Sequence, residues 1–89
     1  VKVTPLGPSS YRVSVRGGTG TTDHEVEVPA GFLARQGLGG VDGEEVVRWT
    51  FGFLLEREPA TSILRRFSLD VVPRYFPEYL EQLRARFGR

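Results

Sequence analysis

Asp42-Gly43-Glu44-Glu45-Val46-Val47-Arg48-Trp49-Thr50-Phe51-Gly52-Phe53-Leu54-Leu55-Glu56-Arg57 is the stretch that decides the fold. Asp42 is a favoured helix N-cap, and Glu45 stands where a capping box places its glutamate. Glu44 and Glu45 also suit the positive end of a helix dipole. The pattern predicts a helix from Gly43 to about Arg57. At about 100° per residue, Glu45, Arg48, Gly52 and Glu56 share one narrow polar stripe, while Val46, Val47, Trp49, Phe51, Phe53, Leu54 and Leu55 fill most of the remaining arc. So broad an apolar surface needs partners on more than one side, which makes this the expected central helix.

Upstream, Tyr11 to Arg16 and His24 to Val28 alternate with the period of half-buried strands. The glycines of Gly17-Gly18-Thr19-Gly20-Thr21-Thr22 supply the positive φ that a hairpin turn requires. Pairing Val13 with Val26 sets Tyr11 opposite Val28, Arg12 opposite Glu27 and Arg16 opposite Asp23. A slip of two residues keeps the apolar face and loses ion pairs worth only about 0.2 to 1 kcal/mol each. Val1-Lys2-Val3 is a candidate third strand, interrupted by Pro5 and Pro8. The inner face of Tyr11, Val13, Val15, Val26 and Val28 is expected against one flank of the central helix.

Pro29 suits a first helical position, so a short helix is expected over Ala30 to Gln36, closed by Gly37 in the left-handed region with Leu38 packing back. Downstream, Pro59 stops the central helix or opens the next segment, and Thr61 or Ser62 caps a short piece through Ile63, Leu64 and Phe67. Asp70, rather than Ser68, is the expected cap of a further helix, because Pro73 then loses no backbone bond. Pro77 starts a last helix with Leu80, Leu83 and Phe87 at helical spacing through Arg86. Leu64, Phe67, Phe76 and Leu80 are expected on the second flank of the central helix. The whole reads as one α+β domain over 1–89, with a β-hairpin region at 1–28, two or three strands, and a helical region at 29–89.

At 89 residues the chain has room for one core, and 39% hydrophobic with 26% charged residues is an ordinary globular balance. Cysteine is absent, so packing or self-association must stabilise the fold, and a reducing cytosol is the expected setting. No apolar run is long enough for a bilayer and the first residues lack a secretory signal pattern, which predicts a cytoplasmic protein with no membrane partner. Arginine outnumbers lysine eleven to one and asparagine is missing. Heat adaptation and GC-rich codon usage both produce that bias.

His24 is the only histidine, which excludes a two-histidine metal motif and a histidine base with a histidine orienter. It is in phase with Val26 and Val28, so a structural role at a strand end is expected, with a pH-sensitive contact as the functional alternative. Glu44 with Glu45 and Glu56 with Glu58 read as dipole compensation and a solvated helix end rather than as catalytic pairs. The glycines from Gly17 to Gly20 join two strands and lack the lysine of a phosphate-binding loop. No catalytic constellation, metal site or cofactor site is recognised.

The strongest functional signal is charge asymmetry: residues 1–58 carry a net charge of −2 and residues 59–89 a net charge of +3. Arg65, Arg66, Arg74, Arg84 and Arg86 interleave with Tyr75, Phe76 and Tyr79 in the basic part. These residues form the candidate interaction surface, for a protein partner or a second copy, because aromatic residues and arginine anchor interfaces. The alternative is a weak nucleic-acid binder with arginines on phosphates and rings on bases. The overall charge of only +1 argues against that alternative.

The run Phe53-Leu54-Leu55-Glu56-Arg57-Glu58-Pro59, with Ser62-Ile63-Leu64-Arg65-Arg66-Phe67 and Tyr75-Phe76-Pro77-Glu78-Tyr79, resembles a class of short uncharacterised bacterial proteins. The resemblance spans roughly 24–79 and implies no activity, ligand or site residue.

Overall fold

A computed structural model describes residues 1–17 and 20–88 of the chain. Strand β1 (Lys2–Pro5) pairs antiparallel with β2 (Ser10–Gly17), and β2 with β3 (Gly20–Glu27). Val1-Lys2-Val3 thus does begin a third strand, and Pro5 is accommodated because β1 is a sheet edge. Val3, Val13, Val15, His24 and Val26 are all buried along one face, the alternation expected of a sheet covered on one side.

The hairpin register differs from expectation by two residues: Val13 lies opposite His24, Tyr11 opposite Val26, Arg12 opposite Glu25 and Arg16 opposite Thr21. The slip leaves every side chain on its original face. Arg12 exchanges one glutamate for another, and Asp23 accepts a 2.7 Å hydrogen bond from the Ser14 hydroxyl in place of the expected pair with Arg16. Of the expected turn, Gly17 belongs to β2 and Gly20, Thr21 and Thr22 belong to β3, while Gly18 and Thr19 lie outside the described residues.

Pro29 does not open a helix. The N–H of Phe32 donates to its carbonyl, Gly31 turns the chain with φ of +79°, and α1 covers only Phe32–Arg35. Gly37 then adopts φ of +75°, and the N–H groups of Gly37 and Leu38 return to the carbonyls of Ala34 and Leu33, a Schellman closure that buries Leu38. Helix α2 (Gly43–Leu55) begins where expected, the Asp42 carboxylate accepting from the Glu44 N–H at 3.0 Å, and stops short of Arg57. Glu45, Arg48, Gly52 and Glu56 are exposed, while Val46, Val47, Thr50, Phe51, Phe53 and Leu54 are buried.

Residues 59–88 are less helical than expected. A 3₁₀ turn (Ala60–Ser62) leads into strand β4 (Arg66–Ser68), which pairs parallel to β3 with Phe67 opposite Val26. The sheet is therefore mixed, in the order β1-β2-β3-β4, and the division into a strand region and a helical region at residue 28 does not hold. A second 3₁₀ turn (Leu69–Val71) starts after Ser68, not after Asp70, and the Ser68 hydroxyl donates to the Asp70 carboxylate. It runs into α3 (Val72–Tyr75), where Pro73 sits in the first turn. Pro77 lies in the turn before α4 (Tyr79–Phe87) rather than inside it.

Helix α2 has the two flanks its apolar arc requires. Toward the sheet, Phe51 lies 5.3 Å from the His24 ring and 5.9 Å from Phe67, centroid to centroid. On the other side, Trp49 and Phe53 meet Tyr79 at 5.8 and 5.3 Å, and Phe53 takes Phe76 edge-on. Leu64, expected on this flank, instead points to solvent at 55% exposure.

Candidate functional site

The end of α2 and the irregular chain after it build an open groove of about 380 Å³. Leu54 and Glu58 form one wall, Ser62, Ile63 and Leu64 the next, and Phe67, Val71, Val72, Tyr75 and Phe76 complete it. Local chemistry explains the layout. Pro59 follows the final α2 turn, where the Glu58 N–H still reaches the Leu54 carbonyl, and the 3₁₀ turn redirects the chain toward β3. There the Glu25 N–H donates to the Arg65 carbonyl at 2.7 Å, and His24 Nδ1 lies 2.8 Å from the Leu64 carbonyl oxygen. With its backbone held on the sheet side, Leu64 leaves its side chain at the groove. Tyr75, at the end of α3, is 67% exposed.

His24 is only 2% exposed and fully satisfied. A carbonyl can only accept, so Nδ1 carries the proton toward Leu64, while Nε2, 2.9 Å from the Thr22 hydroxyl, accepts from it in the neutral ring. The role is structural, though His24 stands in the middle of β3 rather than at a strand end, and it fixes the backbone behind the groove. Among the described residues, Glu58 is the only carboxylate lining the groove, and its side chain has no ion pair or hydrogen bond. The neighbouring Arg57 stacks 3.6 Å over Phe53 and engages Glu56 and Glu78 instead. Glu78 is held below the usual carboxylate range by its own backbone N–H, then by Arg57.

The eight residues of the expected interaction surface do not form one patch. Tyr75 and Phe76 line the groove, and Arg65 and Arg74, both exposed, directly adjoin lining residues in sequence. Arg66 sits at the sheet edge, paired with Glu25 at 3.4 Å. Arg84 and Arg86 lie on α4, the first donating to Gln36 at 3.1 Å and the second stacking on Phe87. Tyr79 belongs to the core and not to a surface. It is wholly buried, and its hydroxyl donates to Thr50, whose own proton goes to the Val46 carbonyl. Burial pushes the Tyr79 phenol up to about 12. Its place four residues before Leu83 already marked it as inward-facing. The groove residues Leu54, Glu58, Ile63, Leu64 and Val72 carried no such signal for a surface role.

Among the described residues no His, Asp or Glu cluster is placed to hold a metal, and no helix is long and apolar enough to cross a membrane. No family model matches the chain, and no match was found among curated proteins or solved structures.

Proposed function

We propose that this domain is a non-enzymatic protein-interaction module whose docking surface is the groove between α2 and α3. The observation that carries the reading is the exposure of Leu64 and Tyr75 on the rim of an apolar depression, in a chain whose other large apolar side chains are mostly packed into one core. Exposed apolar side chains gathered at the rim of one depression support a docking role. The absence of cysteine favours a reducing compartment such as the cytoplasm of a bacterial cell, in keeping with the class of proteins the sequence resembles.

Selecting displayed random peptides on the wild-type protein, with Leu64→Asp as the control, tests the assignment. The expected result is a peptide that perturbs the amide resonances of residues 62–76 and binds the variant at least about tenfold more weakly, a loss of 1.4 kcal/mol. Peptides that bind both proteins equally remove the groove from consideration.

A second reading, nucleic-acid binding, draws support from Arg65, Arg74 and Arg86, which have no carboxylate partner among the described residues. They lie on three separate segments. Oligonucleotide titration at two ionic strengths separates the readings, since phosphate contacts give a steep salt dependence.

A further inference from the structure

We propose that the partner enters the groove as an extended peptide segment that pairs with the open edge of β4 and adds a fifth strand to the sheet. The proposal rests on the docking role of the groove and adds the conformation and patterning of what docks there. β4 ends the order β1-β2-β3-β4, with no strand on its far side. The Glu25 N–H donates to the Arg65 carbonyl, and Glu25, Val26 and Glu27 stand opposite Arg66, Phe67 and Ser68. Backbone groups alternate sides along a strand, so Arg65 and Phe67 turn theirs to β3, while the N–H and C=O of Arg66 face away from it. Among the described residues these two groups have no backbone partner. Such an edge selects a strand as occupant, since a helix has already used its own N–H and C=O groups internally. The opposite edge of the sheet is blunted by Pro5, which has no N–H to offer.

The groove runs along β4 itself. Its lining comes from just before the strand (Ile63, Leu64), from the strand (Phe67) and from just after it (Val71, Val72). Phe67 faces the core, 5.9 Å from Phe51, so a strand laid beside β4 sends every second side chain toward this apolar lining. The side chains between them join the opposite face, where the Arg66 side chain is 82% exposed. On that face Arg12, Glu25 and Arg66 hold successive positions of one row across the sheet, so the charges alternate plus, minus, plus. The next position in the row, beside Arg66, suits a carboxylate. The occupant is therefore an extended segment with an acidic residue between two apolar ones. A three-residue edge is too short to hold a strand by backbone pairing alone, and its arginine resists indiscriminate pairing, so affinity needs the apolar contact of the groove as well.

A peptide alternating leucine with glutamate, titrated into the wild-type protein by NMR, tests the proposal. It should slow exchange of the Arg66 amide on binding. Of two versions N-methylated on the leucine or on the glutamate nitrogens, one should bind at least about tenfold more weakly than the parent and the other should not, because only one set of nitrogens faces β4. Arg66→Pro, which deletes the outward N–H at an edge where proline is tolerated, should weaken binding more than Arg66→Ala, which keeps it. The methylated peptides give the same answer on the unaltered protein. No binding of the parent peptide at about 1 mM overturns the proposal. So does equal binding of the parent and both methylated forms, an Arg66 amide unchanged in the complex, or protection of that amide by self-association before any peptide is added. A peptide of the same residues at helical spacing that binds as tightly and depends on Leu64 also overturns it, while leaving the docking role standing. The displayed-peptide selection decides that role separately.

Discussion

His24 Nδ1 lies 2.8 Å from the carbonyl oxygen of Leu64, joining residues 40 apart in sequence. The contact predicts that the neutral ring is the tautomer protonated at Nδ1, which long-range ¹H–¹⁵N spectra report directly. A ring protonated at Nε2 would contradict the assigned bond. His24→Ala should cost about 2 to 4 kcal/mol in a urea titration, because it opens a cavity against Phe51 and strands the Leu64 carbonyl.

The buried chain Tyr79 to Thr50 to Val46 predicts coupled stability effects. Thr50→Val leaves the Tyr79 hydroxyl without its acceptor and should cost about 1 to 3 kcal/mol. In the Thr50→Val, Tyr79→Phe double variant the two losses should fall short of additivity by about 1 kcal/mol, since removing both partners strands neither. Strict additivity would mean that the hydroxyls do not interact.

The same phenol predicts a high-pH loss of stability. With its folded value raised to about 12 and its unfolded value near the ordinary 10, the unfolded chain loses its proton first as pH rises. The contribution is complete below pH 10 and fades between about pH 10 and 12, on the order of 2 kcal/mol in all. Urea midpoints measured at pH 8, 10 and 11.5 should fall more steeply for the wild type than for Tyr79→Phe. Parallel profiles would show that Tyr79 does not carry the effect.

Two pairs of substitutions check the helices. Phe51→Ala should cost about 3 to 5 kcal/mol, whereas Gly52→Ala, on the exposed stripe with open space around the site, should gain up to about 1 kcal/mol. Gly37→Ala should cost about 1 to 2 kcal/mol for its left-handed φ of +75°, while Gly40→Ala, with neither a left-handed φ nor a neighbour within 4 Å, should change stability little. Equal effects within either pair would displace the assigned helix face or cap.

The central helix was legible because cap, dipole charges and periodicity agree from Asp42 onward, and its two flanks follow from the width of its apolar arc. The hairpin faces were legible for the same reason, but not the register: a slip of two residues preserves both faces, and exposed ion pairs of a few tenths of a kcal/mol are too weak to choose between registers. Strand β4 was not legible. Three residues hold no alternation to read, and their partner is set by the path of α1 and α2 rather than by Arg66, Phe67 and Ser68 themselves. That strand is also what turns Leu64 outward, so the groove was hidden with it. Of the aromatic residues singled out by density alone, Tyr75 is exposed, Phe76 is half-buried against Phe53, and Tyr79, four residues before Leu83, is wholly buried.

The pairing of β4 with β3 sets an order on folding. The β2–β3 hairpin closes through local contacts, whereas the last strand can dock only after about forty intervening residues have been drawn into place, with the loop-closure entropy that implies. The groove wall containing Ile63, Leu64 and Phe67 is therefore expected to form late and to open before the hairpin does. Amide exchange in these residues should report sub-global opening while the hairpin stays protected. Whatever binds the groove then draws its stabilising effect from suppressing that opening, so occupancy would be read first as slower exchange at β4 and only second as a higher melting temperature.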